Sequence, residues 1–270
     1  MQVTDSTAPV VDLARRFGGL DRLYGVDGAA RIRLAHVAVV GIGGVGSWAV
    51  EALARSGVGR LTLVDMDHIS ESNVNRQIHA LTDTLGRAKV LAMKERIAQI
   101  NPKCQVTTID DFVTPENWPQ IISPDGRLPT VDAVIDACDQ VKAKTAMAAW
   151  AMRGKTTFVS VGAAGGKRLA HLVDIDDLSS STHDPLLAQL RNRLRKEHGA
   201  PCEGKKIGIS CVFSREAVRP PDASCALEGD GTLNCHGYGS VVSVTATFGQ
   251  CAAGWVLDKI SNNAPEPAEK

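Results

Sequence analysis

The stretch covering residues 37–77 constrains the fold of this chain more than any other. It opens with an apolar run rich in β-branched residues, 37–40, which is typical of a strand buried on both faces. A glycine-rich turn, a helix over 47–55 and a second apolar strand over 61–64 follow, and that strand ends at Asp65. The glycines of the turn are Gly41, Gly43, Gly44 and Gly46. This order predicts a nucleotide-binding βαβ unit, because a glycine turn lets the backbone approach phosphates at a helix N-terminus.

Beyond this unit the segments keep alternating between strand and helix character. We expect helices over 86–100 and 141–152, and strands over 105–109, 131–135 and 157–161. The pattern then changes: an antiparallel strand over 170–175 precedes a helix that starts at Asp184 and ends near Glu197, and a last strand covers 209–213. The alternation predicts an α/β fold, a Rossmann-like, doubly wound, mostly parallel sheet with an antiparallel extension in the C-terminal part.

Side chains that follow the second strand favour ATP over NAD. In an NAD site, Asp65 would bind the adenosine ribose and the helix N-terminus would bind the pyrophosphate. Arg76 and Lys89 add two cations to this region. A triphosphate that loses pyrophosphate needs such cations, because negative charge shifts during the displacement. Asp136 and Asp139 close another apolar strand at the carboxyl edge of the sheet, where they could hold Mg²⁺.

The motifs around these residues resemble those of the ubiquitin-activating adenylation superfamily, whose bacterial members include the molybdopterin- and thiamine-synthesis adenylating enzymes. The shared features are the GxGGxG turn, a DxD pair at Asp65 and Asp67, an NxNRQ run that starts at Asn73, a later lysine and a strand-final DxxD. More narrowly, RFGG, RLYG, VVGIGGVGSW, NRQIHAL, DDFVTPEN and SCVFS resemble the tRNA threonylcarbamoyladenosine dehydratases. The resemblance extends from about residue 16 to about residue 257.

This resemblance implies an ATP-dependent adenylating enzyme that acts on tRNA carrying threonylcarbamoyladenosine next to the anticodon. The threonyl carboxylate would attack the α-phosphorus of ATP, and the acyl-adenylate would close to cyclic threonylcarbamoyladenosine with release of AMP. Catalysis would depend on Arg76, Lys89 and Asp139, and Mg²⁺ would be bound by Asp139 and Asp136. The implied nucleotide-binding residues are the four glycines, Asp65, Asp67, Asn73, Arg76 and Lys89.

The resemblance also implies a homodimer in which an N-terminal arginine of one subunit reaches the ATP phosphates of the other. Relatives place this arginine in an Arg-Gln pair that the N-terminal region here lacks, so Arg16 and Arg22 both stay open as candidates. Cys235 lies where thioester-forming relatives keep their nucleophile, and a cysteine desulfurase or sulfur acceptor stays open as a partner. The chain has no C-x-x-C pair, so the structural zinc site of several relatives is not expected.

We divide the chain into four parts. Residues 1–30 form an N-terminal helical arm, with a helix over 12–24, and residues 31–162 form the ATP-binding half. Residues 163–260 form the substrate, tRNA and dimerisation half of the same domain, and 261–270 form a disordered tail. The loop over 220–239 is expected to be a mobile lid. The apolar segment over 240–260 has nearly transmembrane length, but its polar residues and glycines favour a buried core or dimer-interface helix over membrane association.

The overall charge does not identify a nucleic-acid binder, since Lys+Arg and Asp+Glu number 30 each. Between Leu186 and Arg219, however, eight basic residues face three acidic ones, and this local excess would suit a tRNA backbone as well as a solvated helix face. The basic residues are Arg191, Arg193, Arg195, Lys196, Lys205, Lys206, Arg215 and Arg219. The number of cysteines is odd, at seven, and no signal peptide is recognisable, and both features favour free thiols in a reducing cytoplasm.

Three other functions stay open from the sequence. An enzyme that adenylates the C-terminus of a ubiquitin-like sulfur-carrier protein would use the same nucleotide site, although the basic segment and the missing zinc cysteines disfavour it. An NAD oxidoreductase would leave Arg76 and Lys89 unexplained. A binding module that keeps the fold without catalysis would consume no ATP with any tRNA or carrier protein.

Overall fold

The computed structural model of the protein describes residues 11–123, 131–202, 204–222 and 238–262. In these ranges, helices and strands alternate along the chain. The helices are α1 (Leu13–Leu34), α2 (Gly46–Arg55), α3 (Lys89–Ile100), α4 (Val141–Ala151), α5 (Pro185–His198) and α6 (Val242–Asn262). The strands are β1 (His36–Val40), β2 (Arg60–Val64), β3 (Gln105–Ile109), β4 (Ala133–Asp136), β5 (Thr157–Val161), β6 (Val173–Asp177) and β7 (Ser210–Ser214).

These strands form one sheet in the order β3-β2-β1-β4-β5-β7-β6. All neighbours pair in parallel except β6 and β7, which run antiparallel with Val173 opposite Ser214 and Asp177 opposite Ser210. The predicted fold class, a mostly parallel sheet with an antiparallel extension near the C-terminus, is therefore confirmed. The strand order reverses between β1 and β4, and ligands of such sheets bind at that point, outside the carboxyl ends of the strands.

Apolar side chains cover both faces of the sheet. Val37 and Val39 of β1 point into a core layer shared with α2, α3 and α6, whereas Ala38 and Val40 point into a second layer shared with α4 and α5. All four side chains are at most 3% exposed. A strand buried on both faces gains nothing from alternating polar residues, which explains the continuous apolar run at this position.

Several segments differ in extent from the predicted ones. The N-terminal helix continues to Leu34 across a kink at Gly25, whose φ is 73°. The antiparallel strand starts at Val173, because residues 170–172 form a 3₁₀ turn, and α6 continues to Asn262. Residues 1–10, most of the expected lid (223–237) and the end of the expected tail (263–270) lie outside the described residues.

Helix α6 is buried in the core, which is one of the two alternatives predicted for this apolar segment, the other being a dimer-interface helix. Phe248, Ala252 and Val256 are completely buried in the layer that also contains α2. At Gly249 the two helices touch: a Cβ on this residue would lie 2.8 Å from the amide nitrogen of Ala49 and 2.9 Å from Cβ of Trp48. Only glycine permits this approach. No helix in the described ranges is sufficiently long and apolar to span a membrane.

Candidate active site

Three neighbouring strand ends build the site. Strands β1, β2 and β4 bring the glycine turn, Asp65 and Asp136 to the same edge of the sheet. Gly41 has a φ of 86°, and its amide donates a hydrogen bond to the carbonyl oxygen of Val64 at 2.9 Å. A Cβ on Gly41 would lie 2.8 Å from the carbonyl group of Ala137. Glycine is therefore needed here both for the left-handed backbone and for the contact between the turns that follow β1 and β4.

Asp65 connects the end of β2 to the glycine turn. Its Oδ2 accepts a hydrogen bond from the amide of Ile42 at 2.6 Å, and its Oδ1 accepts one from the amide of Asp67 at 2.8 Å. Burial raises the pKa of Asp65, an effect that the Lys89 ammonium opposes. The carboxylate is thus fixed beside the turn, at the position where nucleotide-binding βαβ units hold a ribose.

Lys89 is the first residue of α3 and is paired with carboxylates. Its Nζ lies 2.6 Å from Oδ2 of Asp67 and 4.0 Å from Oδ1 of Asp65. The side chain is only 6% exposed. A cation is electrostatically unfavourable at a helix N-terminus, and the two carboxylates offset this cost. Lys89 and Asp65 therefore lie close together at the end of β2.

Arg76 lies over the glycine turn. Its Cγ and Cδ would be 3.4 Å from a Cβ placed on Gly44, so the side chain rests on this glycine. The guanidinium donates to the carbonyl oxygen of Ser72 at 2.6 Å and to Oδ1 of Asn75 at 2.9 Å. Trp48 of α2 donates its indole N–H to the main-chain oxygen of Arg76 at 2.9 Å. The loop that carries Arg76 is thereby attached to the helix that follows the turn.

Asn73 stabilises the same loop. Its Oδ1 accepts a hydrogen bond from the amide of Ser70 at 3.1 Å, as part of a capping box on a short 3₁₀ turn, and the residue is 9% exposed. The observed contact of the Asn73 side chain is thus with the backbone of its own loop. Its sequence-based role as a phosphate ligand stays a prediction.

His79 and Gln77 also contact the glycine turn, although neither was a candidate site residue from the sequence. His79 is 2% exposed, and its Nε2 lies 2.8 Å from the carbonyl oxygen of Ile42 in the glycine turn. Burial lowers the pKa of His79 to about 4, although the Ile42 carbonyl acts in the opposite direction. Gln77 is 6% exposed and its Nε2 reaches the neighbourhood of Gly43. Both lie within the NRQIH run, so that motif was the available signal.

The two aspartates expected to bind Mg²⁺ differ in their exposure to solvent. Asp136 is completely buried, and its Oδ2 pairs with the Lys144 ammonium at 2.8 Å. Asp139 is exposed beyond the end of β4. In the described ranges no group of three or more His, Cys, Asp or Glu side chains could hold a metal by itself. A single exposed carboxylate together with substrate phosphates is a common Mg²⁺ environment, so Asp139 fits this metal and Asp136, held by Lys144, does not.

The two candidate N-terminal arginines, Arg16 and Arg22, make different contacts. Arg16 donates from Nη1 to the carbonyl oxygen of Ile100 at 2.8 Å, which ties the start of α1 to the end of α3. Arg22 is exposed on α1, and its guanidinium lies near Gly19 of its own helix. Arg16 is thus held by another helix, whereas the neighbour given for Arg22 lies on its own helix. Cys235 lies outside the described residues.

One protein-family model covers nearly the whole chain. A model described as the ThiF family matches residues 19–270, which include every candidate site residue except Arg16. The chain belongs to the ThiF family. The superfamily resemblance inferred from the glycine turn, the NxNRQ run and the DxxD motif is confirmed.

Several similar curated proteins are named tRNA threonylcarbamoyladenosine dehydratase. The protein from Haemophilus influenzae is 44% identical over 94% of this chain and 96% of its own length. The protein from Escherichia coli is 46% identical over 93% of this chain and 95% of its own length. The narrower resemblance, read from RFGG, RLYG and NRQIHAL, is confirmed as well.

Solved structures of this ThiF-family branch agree with the fold. A crystal structure of the E. coli tRNA N6-threonylcarbamoyladenosine dehydratase TcdA in complex with ATP matches with a TM-score of 0.82 and 44% identity. The match covers 94% of this chain and 97% of that chain. A structure of the same protein in complex with AMP matches equally well.

Proposed function

We propose that this chain catalyses the ATP-dependent dehydration of N6-threonylcarbamoyladenosine in tRNA to its cyclic form. The observation that carries the proposal is the 44% and 46% identity to two tRNA threonylcarbamoyladenosine dehydratases over more than nine-tenths of both chains. The site supports it, because the glycine turn, Asp65, Arg76 and Lys89 lie together at the crevice of the sheet.

The net reaction removes the elements of one water from the modified adenosine and cleaves one ATP to AMP and pyrophosphate. An oxygen of the threonyl carboxylate attacks the α-phosphorus of ATP, and the bond to pyrophosphate breaks. The carbamoyl group of the same substrate then attacks the activated carboxyl carbon, releases one proton and closes a five-membered ring, and AMP leaves with the former carboxylate oxygen. Because this second attack is intramolecular, its effective molarity can be roughly 10⁵–10⁸ M, and a thioester on Cys235 would add little.

The site residues have separate roles in this proposal. The glycine turn and the N-terminus of α2 hold phosphates, and Asp65 accepts hydrogen bonds from the ribose. Arg76, above the turn, and Lys89, beside Asp65, stabilise the negative charge that moves during attack at phosphorus. Lys89 would exchange Asp67 for a phosphate, which is feasible because the Asp67 side chain is 47% exposed and can return to solvent.

Asp139 would hold Mg²⁺ in company with the ATP phosphates. When bound, this ion would neutralise phosphate charge and favour pyrophosphate as a leaving group. The chain would contribute the exposed carboxylate of Asp139, which follows the two residues that lie against Gly41, Ala137 and Cys138.

A homodimer completes the proposed site. The outer side of α1 carries three strongly exposed apolar residues, Leu23, Val26 and Leu34, at 73%, 70% and 75% exposure. A second copy of the chain is the occupant we propose for this surface, because Arg22 lies on the same helix and could then reach the partner's ATP. The tRNA substrate also implies a cytoplasmic location.

The basic segment retains part of its proposed role in tRNA binding. Arg191 is not available, since its Nη1 donates to Ser181 and Leu178 within the protein, and Arg195 donates to the carbonyl oxygen of Pro201. Lys196, Lys205 and Lys206 are exposed. These three lysines form the lysine patch that we propose for contact with the tRNA backbone.

One experiment tests the function directly. The protein is incubated with ATP, Mg²⁺ and bulk tRNA, the tRNA is digested to nucleosides, and the modified adenosine is examined by mass spectrometry. We expect the loss of one water, with AMP and pyrophosphate formed in equal amounts. Intact modified adenosine, together with ATP–pyrophosphate exchange driven by a sulfur-carrier protein, would favour the carrier-adenylating alternative. Retention of nicotinamide cofactor would favour the oxidoreductase.

A further inference from the structure

A buried charged cluster lies beneath the turn that carries Asp139. It consists of Asp136, Lys144 and Ser160, and the side chains of Asp136 and Lys144 are both 0% exposed. Nζ of Lys144 donates to Oδ2 of Asp136 at 2.8 Å and to Oγ of Ser160 at 3.2 Å, and the Ser160 hydroxyl donates to Oδ2 of Asp136 at 2.7 Å. A buried ion pair rarely stabilises a fold better than apolar residues of similar volume, so this one calls for another explanation.

The second oxygen of Asp136 extends the cluster toward the site. Oδ1 of Asp136 accepts hydrogen bonds from the amide of Cys138 at 3.3 Å and from its thiol at 3.1 Å. Lys144 also donates to the main-chain oxygen of Asp136 at 3.3 Å. Cys138 is the residue immediately before Asp139. The carboxylate of Asp136 thus holds the backbone of the 137–139 turn with one oxygen, while Lys144 and Ser160 hold the other.

The same turn is in contact with the glycine turn. A Cβ on Gly41 would lie 2.9 Å from the amide nitrogen of Cys138, and one on Gly46 would lie 3.4 Å from Cβ of Ala137. The 137–139 turn therefore has the glycine turn on one side and the Lys144 cluster on the other. Any shift of this turn changes the position of Asp139 relative to phosphates held by the glycine turn.

We propose that Lys144 is a positioning residue for the adenylation step: through Asp136 it fixes the 137–139 turn, and with it the distance between the Asp139 carboxylate and the ATP phosphates. This inference depends on the proposed function, in which Asp139 acts on bound ATP. Lys144 would act without touching the nucleotide, because its ammonium is enclosed between β4, β5 and α4.

The Lys144→Met variant tests the inference. We expect kcat for cyclic product to fall by roughly 100-fold, the size of effect that a misplacement of about 1 Å can cause, while KM for ATP changes by less than about threefold. Arg96→Met is the matched control. It removes an ion-pair partner from another buried carboxylate, Glu51 at 3% exposure, which lies in α2 away from the turn. We expect this control to lower the melting temperature and leave kcat unchanged.

The Asp136→Asn/Lys144→Met double variant separates positioning from charge balance. Removal of both charges should restore much of the stability that Lys144→Met loses. Positioning predicts that kcat stays low in the double variant, whereas its recovery would overturn the inference. A kcat of Lys144→Met within about threefold of wild type would overturn it too. If Lys144→Met does not fold, the double variant and Lys144→Gln give the same comparison. Failure of the wild-type protein to form cyclic product would instead reject the proposed function.

Discussion

At the scale of single residues, Lys89 is held beside Asp65, and in the proposed reaction a phosphate would replace only its second partner, Asp67. The two carboxylates of Asp65 and Asp67 hold its ammonium, and the side chain is 6% exposed. A side chain that is already ordered loses little further entropy when it contacts a phosphate. Arg76 is ordered in the same way by Ser72 and Asn75. We expect both cations to act mainly in the transition state, because the negative charge on phosphorus is redistributed there.

Lys89→Ala and Arg76→Ala should each lower kcat more than they raise KM for ATP. One preorganised donor of this kind is worth about 10²–10³-fold in kcat. Steady-state release of AMP with tRNA substrate measures both constants. Lys94→Ala, which removes an exposed lysine from the same helix, is the control and should behave like wild type. Near-normal turnover of either site variant would remove that residue from the catalytic set.

His79 should make stability depend on pH. Its pKa is about 4 in the folded protein, against 6.5 for an unperturbed histidine, so the unfolded chain binds more protons between these values. The stabilisation is fully present above about pH 6.5 and decreases as the pH falls toward 4. Between pH 7 and pH 4.5, the contribution of His79 to the free energy of unfolding should fall by about 2–3 kcal/mol. Urea unfolding at the two pH values measures this change.

The His79→Gln variant checks the origin of this loss. Glutamine can still donate to the carbonyl oxygen of Ile42 but does not titrate, so the difference in unfolding free energy between the two pH values should shrink by that amount. His198→Gln removes an exposed histidine and should leave the difference as in wild type. An equal pH dependence in all three proteins would show that His79 is not the group involved.

The sequence could predict the site only where a motif places residues on a fixed framework. Gly41, Asp65 and Lys89 meet because the βαβ order determines where their strands and helix end. The DxxD motif, in contrast, does not reveal which way each carboxylate points. Asp136 is the last residue of β4 and is enclosed with Lys144, so it is not available to a metal in this structure. Lys144 itself could not be found, because a lysine in a helix ordinarily indicates a solvated face.

At the scale of helices and strands, the contact between α6 and α2 constrains the helix that follows the glycine turn. Gly249 lies against the first turn of α2, the helix whose N-terminus faces the glycine turn. The apolar run over 240–260 predicted a buried helix, but its hydrophobicity could not indicate which partner it has. That information depends on close approach of backbones, which a pattern of apolar residues does not record.

Gly249→Ala should destabilise the protein and weaken ATP binding together. The added methyl group would lie closer than 3 Å to Ala49 and Trp48, so α6 or α2 has to move, which costs about 1–3 kcal/mol. Gly254→Ala on the same helix meets no atom within 4 Å. This control should stabilise the protein by about 0.5–1 kcal/mol through better helix propensity. Chemical unfolding and ATP titration of the two variants would detect the difference, and equal behaviour would contradict it.

The lysine patch gives a prediction about tRNA. Reversal of Lys196, Lys205 and Lys206 to Glu should weaken tRNA binding and reduce its dependence on salt, because fewer counterions are released. ATP affinity should stay unchanged. Reversal of Lys94 and Lys103, exposed lysines at and beyond α3, is the control. An unchanged slope of log K against log salt in the first variant would place the tRNA elsewhere.

At the scale of the whole molecule, the proposed homodimer, in which two subunits share a site, would allow two inactive variants to complement each other when mixed. Arg22→Ala and Lys89→Ala proteins should each be nearly inactive. In a mixed dimer, one of the two sites would combine an intact Lys89 with an intact Arg22 from the other subunit. Random exchange of equal amounts should therefore restore about a quarter of wild-type activity. No recovery after subunit exchange, confirmed by tagged subunits, would place Arg22 outside the site.

The packing of Gly249 against α2 also has a consequence for the order in which this protein matures during synthesis. All the strand ends around the nucleotide are made early, since the glycine turn, Asp65, Lys89 and Asp139 precede residue 140. Their supporting helix α2 nevertheless receives its apolar cover from Phe248, Ala252 and Val256, more than 100 residues later. A ribosome-bound chain that has completed the first half should therefore bind ATP poorly. The ability to bind ATP would arise only as the last helix emerges.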